Sequence, residues 1–428
     1  MDGYSEEITL EGHIIDSGIL AKVWGTVMDL GGEFDLQEIR VGRSKNETSF
    51  ARMRISAASD AQLHRILTVL QDDGAEIVSR GDVHTEPAPA DGVLPDDFYS
   101  TTHFPTQVRL NGRWVDVSGT EMDLAMVVDR AQSRARMMPM ADVQKGEQVV
   151  VGHEGIRVLP PQRSRSRELF SFMGSEVSSE KPKRLVIEEI AAQMRATRAH
   201  NGKILVVAGP AIVHSGAGPY LARLIRAGFV QALFGGNAIA AHDVEAALMG
   251  TSLGVALHNG EAVEGGHRHH MVAINAIRRA GGLRAAVEQG ILREGIMYEC
   301  IRNNVEMVLA GSVRDDGPLP DVITDVAVAQ QRMRAVVRGG AASREGLGSR
   351  SDSTLPHDDA PVEMALMIAT MLHSIATGNL LPASVKVVAV DINPAVVTKL
   401  ADRGTFQALG LVTDAELFMR ELAEALQV

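Results

Sequence analysis

From residue 203 onward, short and densely apolar runs alternate with longer stretches of helical spacing, and that alternation leaves few folds open. The runs are Lys203–Ile204–Leu205–Val206–Val207–Ala208, then residues 230–234, 305–310, 363–369 and 385–390. A strand that is apolar on both faces must be covered on both, and the helices between successive runs supply the cover. The pattern therefore predicts an α/β architecture, a doubly wound, Rossmann-like parallel sheet over residues 180–428. In such sheets ligands bind beyond the carboxyl ends of the strands, so the residues just after each run are the first place to look for chemistry.

A chain of 428 residues is too long for one core, and the texture upstream differs. Residues 1–92 read as strand, helix, strand, strand, helix, strand, the order of a ferredoxin-like α+β domain. One helix is expected over residues 19–30, with Leu20, Val23, Trp24, Val27 and Leu30 in spacing, and a second over 60–72, with Leu63, Ile66, Leu67 and Leu70 on one face. Residues 93–165 break into short extended pieces and read as a small β-rich domain. Its firmest feature is Asn111–Gly112, the dipeptide of a tight hairpin, between residues 106–110 and 113–117. A polar linker follows around residues 171–183. The stretch 339–361 is rich in Gly, Ser, Asp and Arg and has almost no large apolar residue, so it reads as a mobile insertion.

Composition excludes several classes of function. Apolar residues make up 45% of the chain and charged residues 22%, as in ordinary globular proteins. The formal net charge of -12 comes without a basic stripe that would track phosphates, so nucleic acid is not an expected partner. Arg163 to Arg167, with alternating serines, reads as a solvated linker. A single cysteine, Cys300, rules out an internal disulfide, and the first residues lack the charged-then-apolar pattern of a secretion signal. No apolar run reaches the ~18 residues of a membrane span. Together these point to a cytoplasmic protein.

The predicted strand ends are rich in glycine and in polar groups. The first is followed by Gly209–Pro210–Ala211–Ile212–Val213–His214–Ser215–Gly216–Ala217–Gly218 and the second by Gly235–Gly236–Asn237–Ala238. The third leads into Gly311–Ser312–Val313–Arg314–Asp315–Asp316–Gly317–Pro318, the fourth into Thr370–Met371–Leu372–His373–Ser374, and the fifth into Asp391–Ile392–Asn393–Pro394. Glycine at such turns lets backbone approach a pyrophosphate, and a helix N-terminus offers it free N–H donors. The usual Gly-x-Gly-x-x-Gly fingerprint is absent, since Gly216–Ala217–Gly218 continues as Pro219–Tyr220–Leu221. Asp391 says more. An acid at the tip of an apolar strand can accept both hydroxyls of an adenine ribose, and it disfavours a 2′-phosphate, which selects NAD over NADP. The competing reading is a helix-capping aspartate ahead of Asn393–Pro394.

Two further clusters invite a functional reading. Gly265–Gly266–His267–Arg268–His269–His270 suggests a metal, but adjacent histidines would spread around a helix and no partner set completes them nearby, so no metal is expected and an anion or substrate contact is preferred. Gly295–Ile296–Met297–Tyr298–Glu299–Cys300 joins a possible acid/base to the only thiol, with a buried structural cysteine as the plainer reading.

Longer stretches carry a family resemblance. Leu10–Glu11–Gly12–His13–Ile14–Ile15–Asp16–Ser17, Gly31–Gly32–Glu33–Phe34, Thr101–Thr102–His103–Phe104–Pro105–Thr106 and Arg314–Asp315–Asp316–Gly317–Pro318–Leu319–Pro320–Asp321–Val322–Ile323–Thr324–Asp325, with the two clusters above, resemble the archaeal-type ornithine cyclodeaminases. That family is also known as a conserved domain of lysine-oxoglutarate reductase/saccharopine dehydrogenase (LOR/SDH) proteins. The resemblance implies an NAD-dependent enzyme, an ammonia-lyase of arginine and ornithine metabolism that turns L-ornithine into L-proline and ammonia. It implies no arginine dihydrolase activity, because the arginine-degrading domain of cyanobacterial relatives does not precede this sequence.

By the same resemblance NAD touches Asn237, Ala238, Asp316, Thr370, Met371, Leu372, His373, Asp391, Asn393 and Pro394. Glu299 or Asp316 would move protons, His267 would assist, and Arg314 would pair with the substrate carboxylate. The expected partners are a small amino-acid substrate and further copies of the chain in a homo-oligomer, with no nucleic acid and no membrane. Two other functions stay open at this point: an amino-acid or opine-type dehydrogenase that releases NADH, and a non-catalytic NAD-sensing module.

Overall fold

Alternating apolar residues on the first strands and a three-to-four-residue apolar spacing on the helices between them bring one face of each element together. In the computed structural model, which describes residues 4–15, 18–43, 47–72, 74–78, 81–159, 183–257, 260–261, 263–264, 266–315, 317–339, 360–403 and 408–428, the chain begins β1 (Tyr4–Gly12), α1 (Ile19–Asp29), β2 (Glu33–Arg40), β3 (Ser49–Ala57), α2 (Asp60–Asp72) and β4 (Glu76–Ile77). These strands form an antiparallel sheet in the order β2-β3-β1-β4, the ferredoxin-like topology expected. Leu20, Val23 and Val27 of α1 and Leu63, Ile66 and Leu70 of α2 close over Ile8, Leu10, Met53 and Ile55.

Seven short strands follow: β5 (His84–Pro87), β6 (Thr106–Leu110), β7 (Arg113–Ser118), β8 (Ala125–Asp129), β9 (Arg134–Met138), β10 (Gln148–Val151) and β11 (Ile156–Val158). They pair in the order β11-β6-β7-β9-β8-β10-β5. The turn between β6 and β7 has Asn111 at φ 52° and Gly112 at φ 76°, the doubly left-handed backbone of a tight hairpin and the reason for Asn-Gly there. Arg157 of β11 donates to Glu76 of β4 and lies over the Trp114 ring, which ties this sheet to the first.

The remaining elements are α3 (Lys183–Ala199), β12 (Lys203–Ala208), α4 (Ala211–His214), α5 (Gly218–Arg226), β13 (Ala232–Gly236), α6 (Asn237–Met249), β14 (Thr251–Ser252), β15 (Val255–Ala256), α7 (His269–Ala280), α8 (Leu283–Glu288) and α9 (Ile296–Arg302). They continue with β16 (Glu306–Ala310), β17 (Val322–Ile323), α10 (Val326–Arg338), β18 (Val362–Ile368), α11 (Leu372–Leu380), β19 (Lys386–Asp391), α12 (Pro394–Arg403), β20 (Ala408–Val412) and α13 (Ala415–Leu426). The main sheet is parallel throughout, in the order β17-β16-β13-β12-β18-β19-β20. Ile204 to Val207 on β12 and Met364 to Ile368 on β18 are buried on both faces, as the apolar runs require. From β12 the chain winds outward through β13, β16 and β17, then returns to β18 on β12's other side. The strand order thus reverses between β12 and β18.

The strands after β12 differ from the sequence reading by one or two residues at their ends. β13 extends two residues beyond the apolar run 230–234, because Gly235 and Gly236 still pair with Leu309 and Ala310 of β16. β17 and β20 have no counterpart among the predicted runs. The chain divides into two compact units, Met1–Ser171 with Leu381–Ser384 and Phe172–Leu380 with Val385–Val428. Among the described residues no helix is long and apolar enough to cross a membrane. The expected linker at 171–183 and the expected mobile loop at 339–361 lie, apart from residues 183, 339, 360 and 361, outside the described residues.

One buried acid fastens two helices of the second unit. Asp243, on α6, accepts from the Ile296 and Met297 N–H groups, each at 2.8 Å, and so caps α9 from a neighbouring helix. A Cβ at Gly295 would lie 2.8 Å from the Asp243 carboxylate, which explains the glycine there. Burial pushes the Asp243 carboxyl up from 3.8 to about 6, against the pull of the two N–H donors. The folded state then binds this proton more tightly than the unfolded chain, so this group's contribution to stability declines as pH rises from about 4 to about 6 and is flat on either side. Asp243→Asn should abolish that part of the slope in denaturant titrations. Because each N–H bonds a different carboxylate oxygen and the amide nitrogen that replaces one of them cannot accept, the substitution should also lower stability at neutral pH by about 1–3 kcal/mol. An unchanged slope in the variant would contradict this assignment.

Candidate active site

The carboxyl ends of the two central strands touch. A methyl group at Gly209, just after β12, would collide with the Ala369 carbonyl just after β18, and only glycine allows the approach. Ala369 itself sits at φ 52°, in the left-handed region where a dinucleotide-binding turn ordinarily has glycine. One strand further on, a Cβ at Gly236 would lie 3.0 Å from the His373 ring. The ends of β12, β13 and β18 therefore form a narrow floor, with Gly209 against the Ala369 carbonyl and the His373 ring against Gly236.

The first turn of α11 borders this floor. Thr370 is half-buried, whereas Met371 and Leu372 are exposed, Leu372 by 66%. His373 places Nε2 3.4 Å from the Ala310 carbonyl at the end of β16; a carbonyl can only accept, so Nε2 carries the hydrogen and Nδ1 is the basic nitrogen. Burial holds His373 below the usual imidazole range, so the ring is neutral at pH 7. Ser374, also in the first turn, is fully buried and its Oγ has no hydrogen-bond partner among the described residues. A buried, unsatisfied hydroxyl beside the free N–H groups of a helix start suits an anionic oxygen.

At the tip of β19, Asp391 Oδ1 accepts from the Asn393 N–H at 2.8 Å, while Asn393 Oδ1 accepts from the Ala395 N–H at 3.0 Å. Asn393 is thus the cap of α12, with Pro394 as its first residue, and Asp391 only steadies the turn. The second oxygen of Asp391, Oδ2, has no partner among the described residues. Ile392 beside it is 71% exposed. With Val313, Met371 and Leu372, it gives this edge of the sheet four exposed apolar side chains on three separate turns, where solvent alone would favour polar ones.

Across the floor, Asn237 at the start of α6 staples the turn after β16. Its Oδ1 accepts from Leu319 N–H at 3.0 Å and its Nδ2 lies 3.4 Å from Asp315 Oδ1, with Ala238 next on the same helical turn. Asp315 also accepts from Ser312 N–H at 2.8 Å, and Arg314 is exposed at the rim. Asp316 lies outside the described residues.

The other residues singled out from sequence are placed apart. Glu299 sits on α9, which leads into the amino end of β16, so it lies at the opposite edge of the sheet. It is buried, pairs with Arg226 through Nε at 3.1 Å, and accepts from Asn303 Nδ2 at 3.0 Å. Cys300 beside it is fully buried, and burial pushes its thiol well up, which makes it unreactive. His267 is exposed on the short 3-10 turn Gly266–Arg268; Gly265 lies outside the described residues. Among the described residues no three His, Cys, Asp or Glu side chains are placed to share a metal ion.

A polar cluster on the ligand edge was not recognised in the sequence. Glu245, on α6, is fully buried and accepts at Oε2 from His242 Nδ1 at 2.9 Å and at Oε1 from Thr251 Oγ1 and Gly254 N–H, both at 3.0 Å. His214, on α4 just past the floor, packs edge-on against the His242 ring at 4.7 Å. The available signal was the i, i+3 spacing of His242 and Glu245 on one helix face.

In the first unit, the Thr101–Thr106 motif borders a cleft of about 510 Å³ lined by Asp96, Asp97, Tyr99, His103, Asp123 and His153. Burial holds His103 below the usual range while its Nδ1 donates to the Leu381 carbonyl at 3.1 Å.

Comparison with known proteins identifies the family. Residues 188–422 match the family described as "Arginine dihydrolase ArgZ-like, C-terminal, Rossmann fold", residues 5–104 the "LOR/SDH bifunctional enzyme conserved region", and residues 105–187 the "Arginine dihydrolase ArgZ-like, C-terminal, first region". A relative from Methanopyrus kandleri named ornithine cyclodeaminase is 52% identical over 428 residues, covering 100% of this chain and 98% of its own. The apo structure of cyanobacterial ArgZ, described as an arginine dihydrolase from the ornithine-ammonia cycle, superposes with a TM-score of 0.83 at 42% identity over 99% of this chain and 58% of its own. The structure of AgrE as a ternary complex with ornithine and NAD+ matches with a TM-score of 0.50 at 43% identity over 99% of this chain and 57% of that one. The chain belongs to the ornithine cyclodeaminase family that carries the LOR/SDH conserved region and the ArgZ-like Rossmann fold.

Proposed function

We propose that this chain binds NAD across the carboxyl edge of its parallel sheet and converts L-ornithine to L-proline and ammonia. The observation that carries the cofactor half is Asp391, which ends β19 with one carboxylate oxygen uncommitted, a short crossover away from an anion-suited helix start. The residues present fit a dinucleotide. Asp391 Oδ2 would accept from the ribose hydroxyls, and Ile392, Asn393 and Pro394 would flank the adenine. Thr370, Met371, Leu372 and His373 with Ser374 Oγ would receive the pyrophosphate and the far ribose. Asn237, Ala238 and Asp316 would close the other side.

The substrate half rests on family membership and on stoichiometry. Ornithine and proline differ by the elements of ammonia, so the conversion has no net redox change, and bound NAD supplies a hydride acceptor that returns its hydride within the same turnover. The chain must then orient the diamino acid, exclude water from the imine, and shuttle protons between the two amines. Arg314, exposed at the rim, would meet the substrate carboxylate, and His267 or Asp316 would move protons, whereas Glu299 is already paired with Arg226. A homo-oligomer is part of the same proposal.

Two measurements test it. Asp391→Ala should weaken NAD binding by about 1–3 kcal/mol and narrow the preference over NADP; unchanged NAD affinity would remove the ribose assignment. Ornithine with sub-stoichiometric NAD should give proline and ammonia over many turnovers, with flat NADH absorbance at steady state and with deuterium at the α-carbon largely retained in proline. Accumulating NADH would favour an amino-acid or opine-type dehydrogenase instead. NAD binding with no turnover of any diamino acid would favour a sensing module.

A further inference from the structure

We propose that His242, held by Glu245 and stacked against His214, is the proton-transfer group of this site, with Glu245 and His214 as its positioning residues. The proposal rests on the ornithine reading for its chemistry and on geometry alone for its existence.

The location follows from the chain path. His214 lies six residues past the end of β12, and His242 five residues into the helix that begins at Asn237, only ~7.5 Å along its axis from the helix start. Both therefore sit at the edge where Gly209, Gly236 and Ala369 clear a floor.

The bonding fixes one imidazole in one tautomer. Glu245 is fully buried, and its carboxylate is held by His242, Thr251 and the N–H groups of Leu253 and Gly254. Burial alone would raise its pKa, but these donors outweigh it and hold the carboxyl below the usual range. An ionised acceptor at His242 Nδ1 keeps the hydrogen on that nitrogen and leaves Nε2 as the basic one, the arrangement by which carboxylates orient catalytic histidines. Thr251 donates to Glu245 and so accepts from His269 Nδ1 at 2.8 Å, which extends the chain of bonds to α7.

His214 limits the charge. Its Nδ1 lies 2.6 Å from Ser252 Oγ, and burial first, then the neighbouring His242, hold it below the usual imidazole range. With the ring centroids 4.7 Å apart, a positive charge on one ring disfavours a positive charge on the other. The titratable groups packed around His242 are His214 from α4, Glu245 from its own helix, and His270 from α7 at 6.3 Å, with His269 one bond further through Thr251. Holding the 251–254 turn would require Glu245 but neither histidine.

One proton taken up and given back is what the reaction needs from this group. An ammonium must lose an N–H proton before its carbon can give up hydride; that N–H bond breaks and an N–H bond forms at His242 Nε2. When the carbon–nitrogen bond to the departing amine breaks, the same proton passes from Nε2 to that nitrogen and leaves with it as ammonia. The other amine, an ammonium in the free amino acid, must also shed a proton before it attacks the imine carbon, and that proton goes to solvent. The ring imine then takes the hydride back, so the ornithine cation gives zwitterionic proline, ammonia and one proton with no reagent beyond the NAD already proposed.

The test reads both the group and the reaction in the full chain with NAD. Side-chain histidine NMR should show His242 as the Nδ1–H tautomer, with a titration that moves to lower pH in Glu245→Gln and to higher pH in His214→Asn. In His242→Asn, kcat should fall by on the order of 10²–10⁴-fold with NAD affinity unchanged. The acidic limb of the kcat profile should follow the NMR shift in Glu245→Gln; if that variant fails to fold by circular dichroism, His214→Asn carries the comparison. A wild-type pH profile in His242→Asn, or a His242 titration indifferent to both neighbours, would overturn the relay. Wild-type protein that makes no proline from ornithine would instead overturn the substrate reading, and the NMR result would still decide whether the relay exists.

Discussion

The approach of β12 and β18 at their carboxyl ends is the constraint on which the rest depends. Both strands are buried on both faces, so neither can shift to relieve crowding, and the contact is possible only because Gly209 has no side chain and Ala369 accepts a left-handed backbone. From that point α4 and α11 diverge, and the gap between them is where the strand order reverses. The floor is bounded by the start of α11 on one side and the Asn237 staple on the other.

Much of this was legible in the sequence, and the reasons can be named. Continuous apolar runs are diagnostic because a parallel strand has no solvent face, so Lys203–Ala208 was found residue for residue, and Asn111–Gly112 marked its hairpin because few other pairs take two positive φ angles. β20 escaped because Ala408–Val412 is short and interrupted by Gly410. Parallel sheets bind ligands beyond their carboxyl ends, so recognising the sheet is enough to direct attention to Asp391 and to Thr370 to His373.

What escaped depends on pairing between distant residues. Glu299 reads as an acid/base next to a thiol, and only the folded chain shows its bond to Arg226, seventy-three positions away. Ser374 is an unremarked serine until its burial without a partner is seen. The histidines of Gly265–His270 draw notice because they are adjacent, whereas the contact between the His214 and His242 rings, twenty-eight positions apart, leaves no such mark in the sequence. Adjacent residues on a helix point apart; chemistry needs residues that converge.

The central claim is that the β18–α11–β19 crossover holds the dinucleotide. A crystal structure of this chain with NAD and ornithine tests it most directly. The account predicts the adenine ribose on Asp391, the pyrophosphate over the first turn of α11 within reach of Ser374, and the nicotinamide over the floor between Gly209 and Gly236. A dinucleotide bound at the amino edge of the sheet, or with its ribose away from Asp391, would contradict it.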